Sequence, residues 1–318
     1  MKRWLLGVML LSYFVVSAQQ TLDYSDEQIL TYVKSVGRLD SLNAGTISQA
    51  VTKPFTRPRD KVQAIYDWIA LNIAFDVKAG RTRGNEKTDA DVVLKTRKAT
   101  AAGFAALFQD MCSVQRIRCL TVNGWAKQFA DEIGEVPDEF NHTWAVIQLG
   151  QSPETWYYVD PTWGAGYTDK DMKVFTPAYT PSFFFPDRAV FNLQHYPDNG
   201  AWQLGAGPKK LKDFYALPVV HRRGVEAKLD IMNPNSGSIK AKVGKPQSFS
   251  FRYLHADAPA VVAVQVGPER KRRNETVSHT YSGGLISFNH IFKEEDEYAV
   301  TILVNQQAVL TYFVSVTE

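Results

Sequence analysis

Two residues of this sequence are of the types that activate a nucleophile for attack on an acyl group. His142 lies in the stretch NHTWAVIQL, and Asp160 follows the apolar run WYYV. A histidine acts as a general base when a carboxylate holds its imidazole in the required tautomer. If the two stretches are neighbouring strands, His142 and Asp160 could form such a pair.

The expected nucleophile is missing from the place where it would be activated. A thiolate is stabilised at the head of a helix next to an imidazolium. The stretch TRKATAAGFAALFQDMC predicts a loop that runs into a helix, with Thr100, Ala101 and Ala102 at the junction. An alanine methyl neither ionises nor attacks a carbonyl. The base and its carboxylate therefore stand opposite a junction without a thiol.

Other residues are poorly placed to replace the thiol. Cys112 lies further along the same predicted helix, about 16 Å from Ala101 at 1.5 Å per residue. Thr100 is adjacent, but neighbouring helical residues point about 100° apart. Attack by Thr100, or by water that His142 activates, is the alternative chemistry.

The remaining chemical residues suggest no metal or cofactor. Cys112 and Cys119 could form a disulfide in an oxidising compartment or stay as buried thiols, and both possibilities are open. No group of His, Cys, Asp and Glu has the sequence spacing of metal ligands. No glycine-rich phosphate loop follows a predicted strand. We therefore expect no metal, nucleotide or other cofactor.

The first eighteen residues have the parts of a secretory signal peptide. Lys2 and Arg3 precede an apolar run at 4–16, and Val-Ser-Ala at 16–18 suits cleavage. The run is too short for an ordinary membrane span, so we expect no transmembrane segment after removal of 1–18. No cysteine stands at the cut, which argues against a lipid anchor. We expect a secreted or periplasmic protein.

Composition and charge fit an ordinary globular protein. Apolar residues make up 45% and charged residues 22% of the chain. The formal charge of +3 falls to +1 when the two positive charges of the signal segment are removed. A protein that binds nucleic acid is usually more basic. We therefore expect a protein or peptide partner and no nucleic acid.

Helical periodicity predicts three helices in the N-terminal part. The first, 25–36, opens with Ser25 as a cap and an acidic first turn. The second spans 60–74 and the third 100–116. The prolines of TKPFTRPRD indicate a connector between the first two.

From about residue 118 the pattern is that of strands, in CLTVNGWAKQ, NHTWAVIQL and TWYYVDPTW. Helices followed by an antiparallel sheet indicate an α+β domain. Residues 171–220 are rich in Pro and Phe and are predicted to be irregular, lying over the sheet. His195 and His221 fall in polar, loop-like sequence and are assigned no role.

A second unit begins near residue 225, where short alternating segments are separated by turn residues. Seven or eight such segments predict an antiparallel β-sandwich of immunoglobulin-like architecture. The predicted organisation is a signal peptide at 1–18, an α+β domain at 19–222 and a β-sandwich at 223–318.

The junction and the two strands resemble the transglutaminase-like superfamily, a papain-related group. Its nucleophilic segment commonly reads Gly-x-Cys-x-Gly-aromatic-Ala, and this chain has ATAAGFA. That alignment places Ala101 at the cysteine, Gly103 at the second glycine and Phe104 at the aromatic position. The family's His-x-Trp matches His142–Trp144, and its Asp-x-Thr-Trp matches Asp160–Trp163.

Further motifs extend the resemblance to about residue 220. WGAGY, HYPDNGAWQLGAGP and FYALP are similar to the kyphoscoliosis-peptidase branch. The resemblance implies a papain-like core, with helices packed on an antiparallel sheet, before the all-β sandwich. It also implies a Cys–His–Asp site in which Ala101 occupies the nucleophile position, with Thr100, Trp144 and Trp163 as candidate cleft residues.

Three functions are compatible with these residues. The first is a pseudoenzyme that binds a protein or peptide without covalent catalysis. The second is an active amide-processing enzyme that uses a displaced nucleophile or water activated by His142. The third is a structural envelope protein, in which the first domain only spaces the sandwich from a partner.

Overall fold

The computed structural model describes residues 23–40, 43–82, 89–268 and 271–318. The predicted signal segment lies outside the described residues. Within the described part, no helix has the length and apolar character needed to cross a membrane. The described α-helices are α1 (Asp26–Val36), α2 (Ala44–Thr52), α3 (Pro58–Asn72), α4 (Val77–Arg81), α5 (Ala90–Thr96), α6 (Ala101–Val114), α7 (Pro161–Ala165), α8 (Arg188–Gln194), α9 (Leu211–Tyr215) and α10 (Arg222–Glu226).

The described strands fall into a central sheet, two small ribbons and a C-terminal pair of sheets. They are β1 (Ala74–Phe75), β2 (Lys98–Ala99), β3 (Arg118–Ala126), β4 (His142–Gln148), β5 (Trp156–Val159), β6 (Gly166–Thr168), β7 (Phe175–Pro177), β8 (His195–Pro197), β9 (Val219–Val220), β10 (Asp230–Asn233), β11 (Ser238–Lys242), β12 (Pro246–Arg252), β13 (Val262–Val266), β14 (Arg273–Val277), β15 (His279–Ser282), β16 (Leu285–Ile291), β17 (Asp296–Val304) and β18 (Gln307–Thr317).

The predicted helices are present, and each begins where its sequence signal lies. Ser25 accepts a hydrogen bond from the N–H of Gln28 and so caps α1. Pro58 opens α3, where a missing N–H costs nothing. Helix α2 has no counterpart among the predicted helices. Asn43 caps it through a bond from the N–H of Thr46.

The central sheet is antiparallel in the order β5-β4-β3-β8. Its first three strands were predicted. The expectation that residues 171–220 are irregular is wrong in part, because α8, β8 and α9 lie there. Ala126 of β3 is opposite His195 of β8, and Gly124 of β3 is opposite His142 of β4. Strand β3 therefore places two histidines on its two sides.

Both faces of the central sheet are buried. Ala145 and Ile147 of β4 belong to the core that also contains the apolar side chains of α3 and α6. Trp144 and Val146 point to the opposite face and join a core that continues into the C-terminal strands. Successive side chains of β4 point to opposite faces of the sheet, so one set packs against the helices and the other packs against the core shared with the C-terminal strands.

The C-terminal part is all-β, as predicted. One sheet has the order β10-β12-β16-β15, and the other has the order β11-β18-β17-β13-β14. Their apolar faces share one core, in which the rings of Phe249 and Tyr312 are 5.5 Å apart. Strand β9 also pairs with β18, so this sheet extends across the predicted boundary at 222/223. The boundary itself and the immunoglobulin-like architecture remain predictions.

Candidate functional site

Helix α6 begins at Ala101, and its N-terminus is not capped by a side chain. Thr100 is the N-cap residue, with φ −79° and ψ 175°, but its hydroxyl makes no capping bond. The first N–H groups of an α-helix have no acceptor within the helix. Ala101 is 9% exposed and lines a cleft. The head of α6 therefore has N–H groups without an acceptor in the helix, and the methyl of Ala101 stands at the position where the resemblance implies a nucleophile.

His142 and Asp160 form a hydrogen-bonded pair. His142 Nε2 is 2.7 Å from Asp160 Oδ2. His142 opens β4, and Asp160 follows β5, which pairs with β4. Asp160 also caps α7, because its Oδ1 accepts from the N–H of Thr162 at 2.9 Å and of Trp163 at 3.0 Å. The carboxylate is therefore held by both of its oxygens.

The surroundings of Asp160 keep it ionised. Burial alone would raise its pKa, but the charge of His142 and the hydrogen bonds from the two neighbouring imidazoles bring the pKa well below its usual value. An ionised Asp160 accepts from Nε2–H of His142, which leaves Nδ1 as the second ring nitrogen. His142 also lines the cleft. The arrangement is that of a base with its orienting carboxylate.

His195, to which the sequence analysis assigned no role, lies in strand β8 and hydrogen-bonds to Asp160. Its Nε2 lies 3.1 Å from Asp160 Oδ2, the oxygen that His142 also contacts. Its ring stacks on Phe191 with centroids 3.9 Å apart, and the residue is 0% exposed. Burial lowers the pKa of His195 to about 4, so at neutral pH it donates to the carboxylate as an uncharged imidazole. His195 thus completes a His–Asp–His cluster.

His221 is also not in a loop exposed to water. Burial lowers its pKa to about 4, and its Nε2 lies 2.7 Å from the hydroxyl of Thr311 in β18. It lines the same cleft as His142. His195 and His221, to which the sequence analysis assigned no role, therefore each have a hydrogen-bond partner: Asp160 for the first and Thr311 for the second.

The His–Asp–His cluster also has the donor types of a metal site. One ligand atom from each of His142, Asp160 and His195 lies within 4.8 Å of the others. Two imidazoles and a carboxylate can bind a transition metal. Contacts of 2.7 and 3.1 Å are, however, those of direct hydrogen bonds, which already satisfy the shared oxygen. The spacing along the sequence could not have shown this cluster.

The cleft in front of the pair has a volume of about 1800 Å³. Of the predicted cleft residues, Thr100 and Trp163 line it. The prediction for Trp144 is wrong, because that residue is fully buried in the core behind His142 and packs edge-on against Phe191. The C-terminal part of the chain also contributes to the wall. These contributors are Arg222, Arg223, Glu226, Asp257, Asn305, Gln307 and Ala308.

Several polar atoms in the cleft wall are buried and have no hydrogen-bond partner within the described part of the chain. They are the hydroxyls of Thr100 and Thr162, the indole N–H of Trp125 and the side-chain oxygen of Gln194. Buried polar groups are normally paired, and each exception calls for an explanation. Lys127 lines the cleft too, but its Nζ donates to the carbonyls of Phe214 and Leu217. Sequence gives no direct signal for these unpartnered atoms.

The two cysteines are buried and are not joined to each other. Cys112 and Cys119 are free thiols in the helix-side core. Burial raises the pKa of Cys112 well above its usual value, so its thiol is a poor nucleophile. Neither cysteine lines the cleft. They therefore pack as small apolar groups.

Residues 45–161 match the Transglutaminase-like superfamily. This segment of the chain is therefore a transglutaminase-like domain. The matched segment contains the head of α6, the strand of His142 and the turn of Asp160. The resemblance seen in the motifs is thereby confirmed, and so is the transglutaminase-like core followed by an all-β region.

Several curated proteins resemble the same half of the chain. Kyphoscoliosis peptidase of Mus musculus is 35% identical over 156 residues, which are 49% of this chain and 23% of that protein. Kyphoscoliosis peptidase of Homo sapiens is 33% identical over 177 residues, 55% of this chain and 26% of that protein. Lim and transglutaminase domain protein ltd-1 of Caenorhabditis elegans is 25% identical over 185 residues, 51% of this chain and 23% of that protein. The chain thus spans about a quarter of the length of these relatives.

Proposed function

We propose that this protein is a transglutaminase-like pseudoenzyme that binds a protein or peptide ligand in its cleft. One observation carries the proposal. The residue at the head of α6 that lines the cleft with His142 is alanine, and alanine has no atom that can form an acyl intermediate. The roles of Ala101, His142 and Asp160 follow from the family resemblance and are part of the proposal.

The loss of the attacking atom removes covalent catalysis outright. When a triad enzyme loses its nucleophile, the remaining rate is lower by orders of magnitude. His142 and Asp160 then have no partner to activate. Their mutual hydrogen bond still stabilises the fold around the cleft, which explains how the pair persists without chemistry.

The size and composition of the cleft support a binding role. Its wall has aromatic rings and charged side chains from both the central sheet and the C-terminal part. Phe140 and Tyr167 are exposed apolar residues of that wall. Exposed aromatic side chains are typical anchors at protein interfaces. A ligand in this cleft would touch both parts of the chain.

Export is the second part of the proposal. It rests on the basic start, apolar run and cleavage pattern of residues 1–18. N-terminal sequencing of the protein recovered from its native host should begin at Gln19. Recovery of the full N-terminus from the cytoplasm would contradict export and leave the binding role standing.

A displaced nucleophile has one observation in its favour. The hydroxyl of Thr100 is buried at the cleft wall, next to Ala101, and no described residue hydrogen-bonds to it. Attack by this hydroxyl on an amide carbonyl would form an ester as the C–N bond breaks, with the hydroxyl proton passing to His142 and from there to the departing amine. Thr100→Val removes the hydroxyl and keeps the side-chain shape. Any activity of the wild type that this variant loses would support the displaced nucleophile.

The test of the main proposal combines turnover and binding. The wild-type protein should show no amine incorporation and no peptide hydrolysis, and measurable turnover would refute the pseudoenzyme. Ala101→Leu adds a bulky side chain to the cleft at the head of α6, and Ala201→Leu adds the same bulk at an exposed position. Peptides captured from a defined library by the wild type should be lost with Ala101→Leu and kept with Ala201→Leu. Equal capture by both variants would favour the structural role instead.

A further inference from the structure

The wall of the cleft contains more hydrogen-bond donors than the protein itself uses. Thr100 is 7% exposed and Thr162 is 6% exposed, and neither hydroxyl has a hydrogen-bond partner among the residues that the structure describes. The indole N–H of Trp125 is likewise buried and unpaired. All three residues line the cleft. A buried donor left without an acceptor costs free energy, so these groups indicate a ligand that accepts hydrogen bonds.

The head of α6 adds a second, independent set of donors. Thr100 does not cap the helix, so the N–H groups of Ala101, Ala102 and Gly103 have no acceptor within it. A helix N-terminus also carries a partial positive charge, which favours anions. Helix α7, which carries Thr162, packs against α6. Two helices that are in contact thus carry the hydroxyls and the backbone donors.

The residue at position 101 decides what can occupy this place. A cysteine there would supply its own anion, the thiolate, in the cleft that His142 also lines. Alanine supplies neither the charge nor the volume of the sulfur. The hydrogen-bond donors at the head of α6, which would otherwise face a thiolate, are therefore available to the anion of a ligand.

We propose that the head of α6 is a carboxylate-binding site, formed by its free N–H groups and the hydroxyls of Thr100 and Thr162. The carboxylate takes the place next to Ala101 that a thiolate would fill. This inference rests on the proposed pseudoenzyme in one respect, that no nucleophile occupies position 101. It names the chemical group by which the cleft holds its ligand.

The acidic residues of the cleft do not oppose this assignment. Asp138, Glu139, Asp198 and Asp257 line the cleft but are exposed, where water and salt screen their charges. Glu226 also lines the cleft, but it is half-buried and paired with Arg222 and Arg223. The charge of Asp160 is used by two imidazoles and two backbone N–H groups. The unpartnered donors are instead buried, where a charged acceptor is bound most strongly.

The experiment titrates the nitrogen-15-labelled protein with N-acetylglycine and with its neutral isostere N-acetylglycinamide. Both probes have the same shape, but only the first is an anion. The acid should shift the amide signals of Ala101, Ala102 and Gly103 and bind at least about tenfold more tightly than the amide. Equal affinity for the two probes, or binding of neither, would overturn the proposal.

Three variants locate the site. Ala101→Asp places a carboxylate of the protein's own at the head of α6 and should weaken binding of N-acetylglycine at least about tenfold. Ala44→Asp makes the same change at the first residue of α2 and should leave the affinity unchanged. Thr100→Val and Thr162→Val keep the side-chain shape and should each weaken binding about tenfold. Wild-type affinity in both valine variants would overturn the proposal even if Ala101→Asp failed to fold.

Further probes identify the source of the carboxylate. A peptide with a free C-terminus, the same peptide with a C-terminal amide, and an amidated peptide with an internal glutamate separate terminal from side-chain carboxylates. Binding of any of the carboxylate probes supports the site. Turnover by the wild type would refute the pseudoenzyme alone, whereas indifference to the charge of the probe would refute this inference alone.

Discussion

Restoring a thiol at the head of α6 should create an activated cysteine. Ala101→Cys adds one sulfur at a residue that lines the cleft with His142. Thr100 does not cap the helix, so its N-terminal charge is not already neutralised. The His142–Asp160 bond of 2.7 Å keeps the imidazole oriented. The variant therefore contains all parts of a thiolate–imidazolium pair.

The expected effect can be worked out from two contributions. The helix N-terminus stabilises an anion by about 0.5 to 2 kcal/mol. A hydrogen bond from the His142 imidazolium adds about 1.5 to 3 kcal/mol. At about 1.4 kcal/mol per pKa unit, their sum of about 2 to 5 kcal/mol lowers the pKa of the new thiol from about 8.5 to between about 5 and 7.

The assay follows alkylation by iodoacetamide against pH, read by intact mass. Cys112 and Cys119 are buried and should react slowly. Ala44→Cys places a thiol at the first residue of α2, which has a helix end but no imidazole, and should titrate within about one unit of an ordinary thiol. Adding His142→Ala to Ala101→Cys should raise the midpoint towards that control. A folded Ala101→Cys protein with an ordinary midpoint near 8.5 would refute the reasoning.

Three further predictions concern the groups around the site. In His195→Ala, Asp160 loses a hydrogen-bond donor, so the His142 Nε2–H should exchange with water at least about tenfold faster. His195→Gln and the distant His290→Ala should keep the wild-type exchange rate. An unchanged rate in His195→Ala would exclude a positioning role for His195. Asp67 is buried, and one of its oxygens has no partner among the described residues. Burial raises its pKa to about 7, so between about pH 4 and pH 7 the folded state binds a proton that the unfolded state has lost. The free energy of unfolding should therefore fall as the pH rises through this range. Asp67→Asn should remove this loss and gain about 2 kcal/mol at pH 8 in urea unfolding; a parallel pH profile for both proteins would contradict it. Treatment with EDTA should leave the melting temperature unchanged, because Asp160 is satisfied by hydrogen bonds, and a clear fall would show a resident metal.

The sequence was sufficient to predict the elements that carry His142 and Asp160. Strand alternation and turn signals predicted the strand that His142 opens and the strand that Asp160 follows, and helical periodicity located the start of α6 within one residue. These signals are local, and the packing of the sheet did not override them. The motifs added the family, because their order along the chain is specific.

His195 could not be predicted from local pattern. It lies far along the chain from Asp160, and the contact depends on β8 pairing with β3. The only signal was indirect, since His195 begins the stretch HYPDNGAWQLGAGP, one of the motifs of the resemblance. A histidine inside such a motif is a better candidate for a site than its polar surroundings suggest.

The errors over Trp144 and α2 have different physical causes. Trp144 lies two residues after His142, so it shares a face of β4 with it, but sequence does not reveal that Phe191 covers that face. Helix α2 ends before the prolines that suggested a connector, and the cap at Asn43 was the overlooked signal. Residues of the C-terminal part line the cleft because of contacts between distant parts of the chain, and the local sequence pattern does not reveal such contacts.

Intact mass spectrometry of acyl transfer tests the central claim most directly. Wild-type protein and Ala101→Cys are incubated with the same activated acyl donor and quenched in acid. The account predicts that the wild-type mass stays unchanged while Ala101→Cys gains the mass of one acyl group, mapped to residue 101. A wild-type adduct on Thr100, or on any other residue of the cleft, would contradict it.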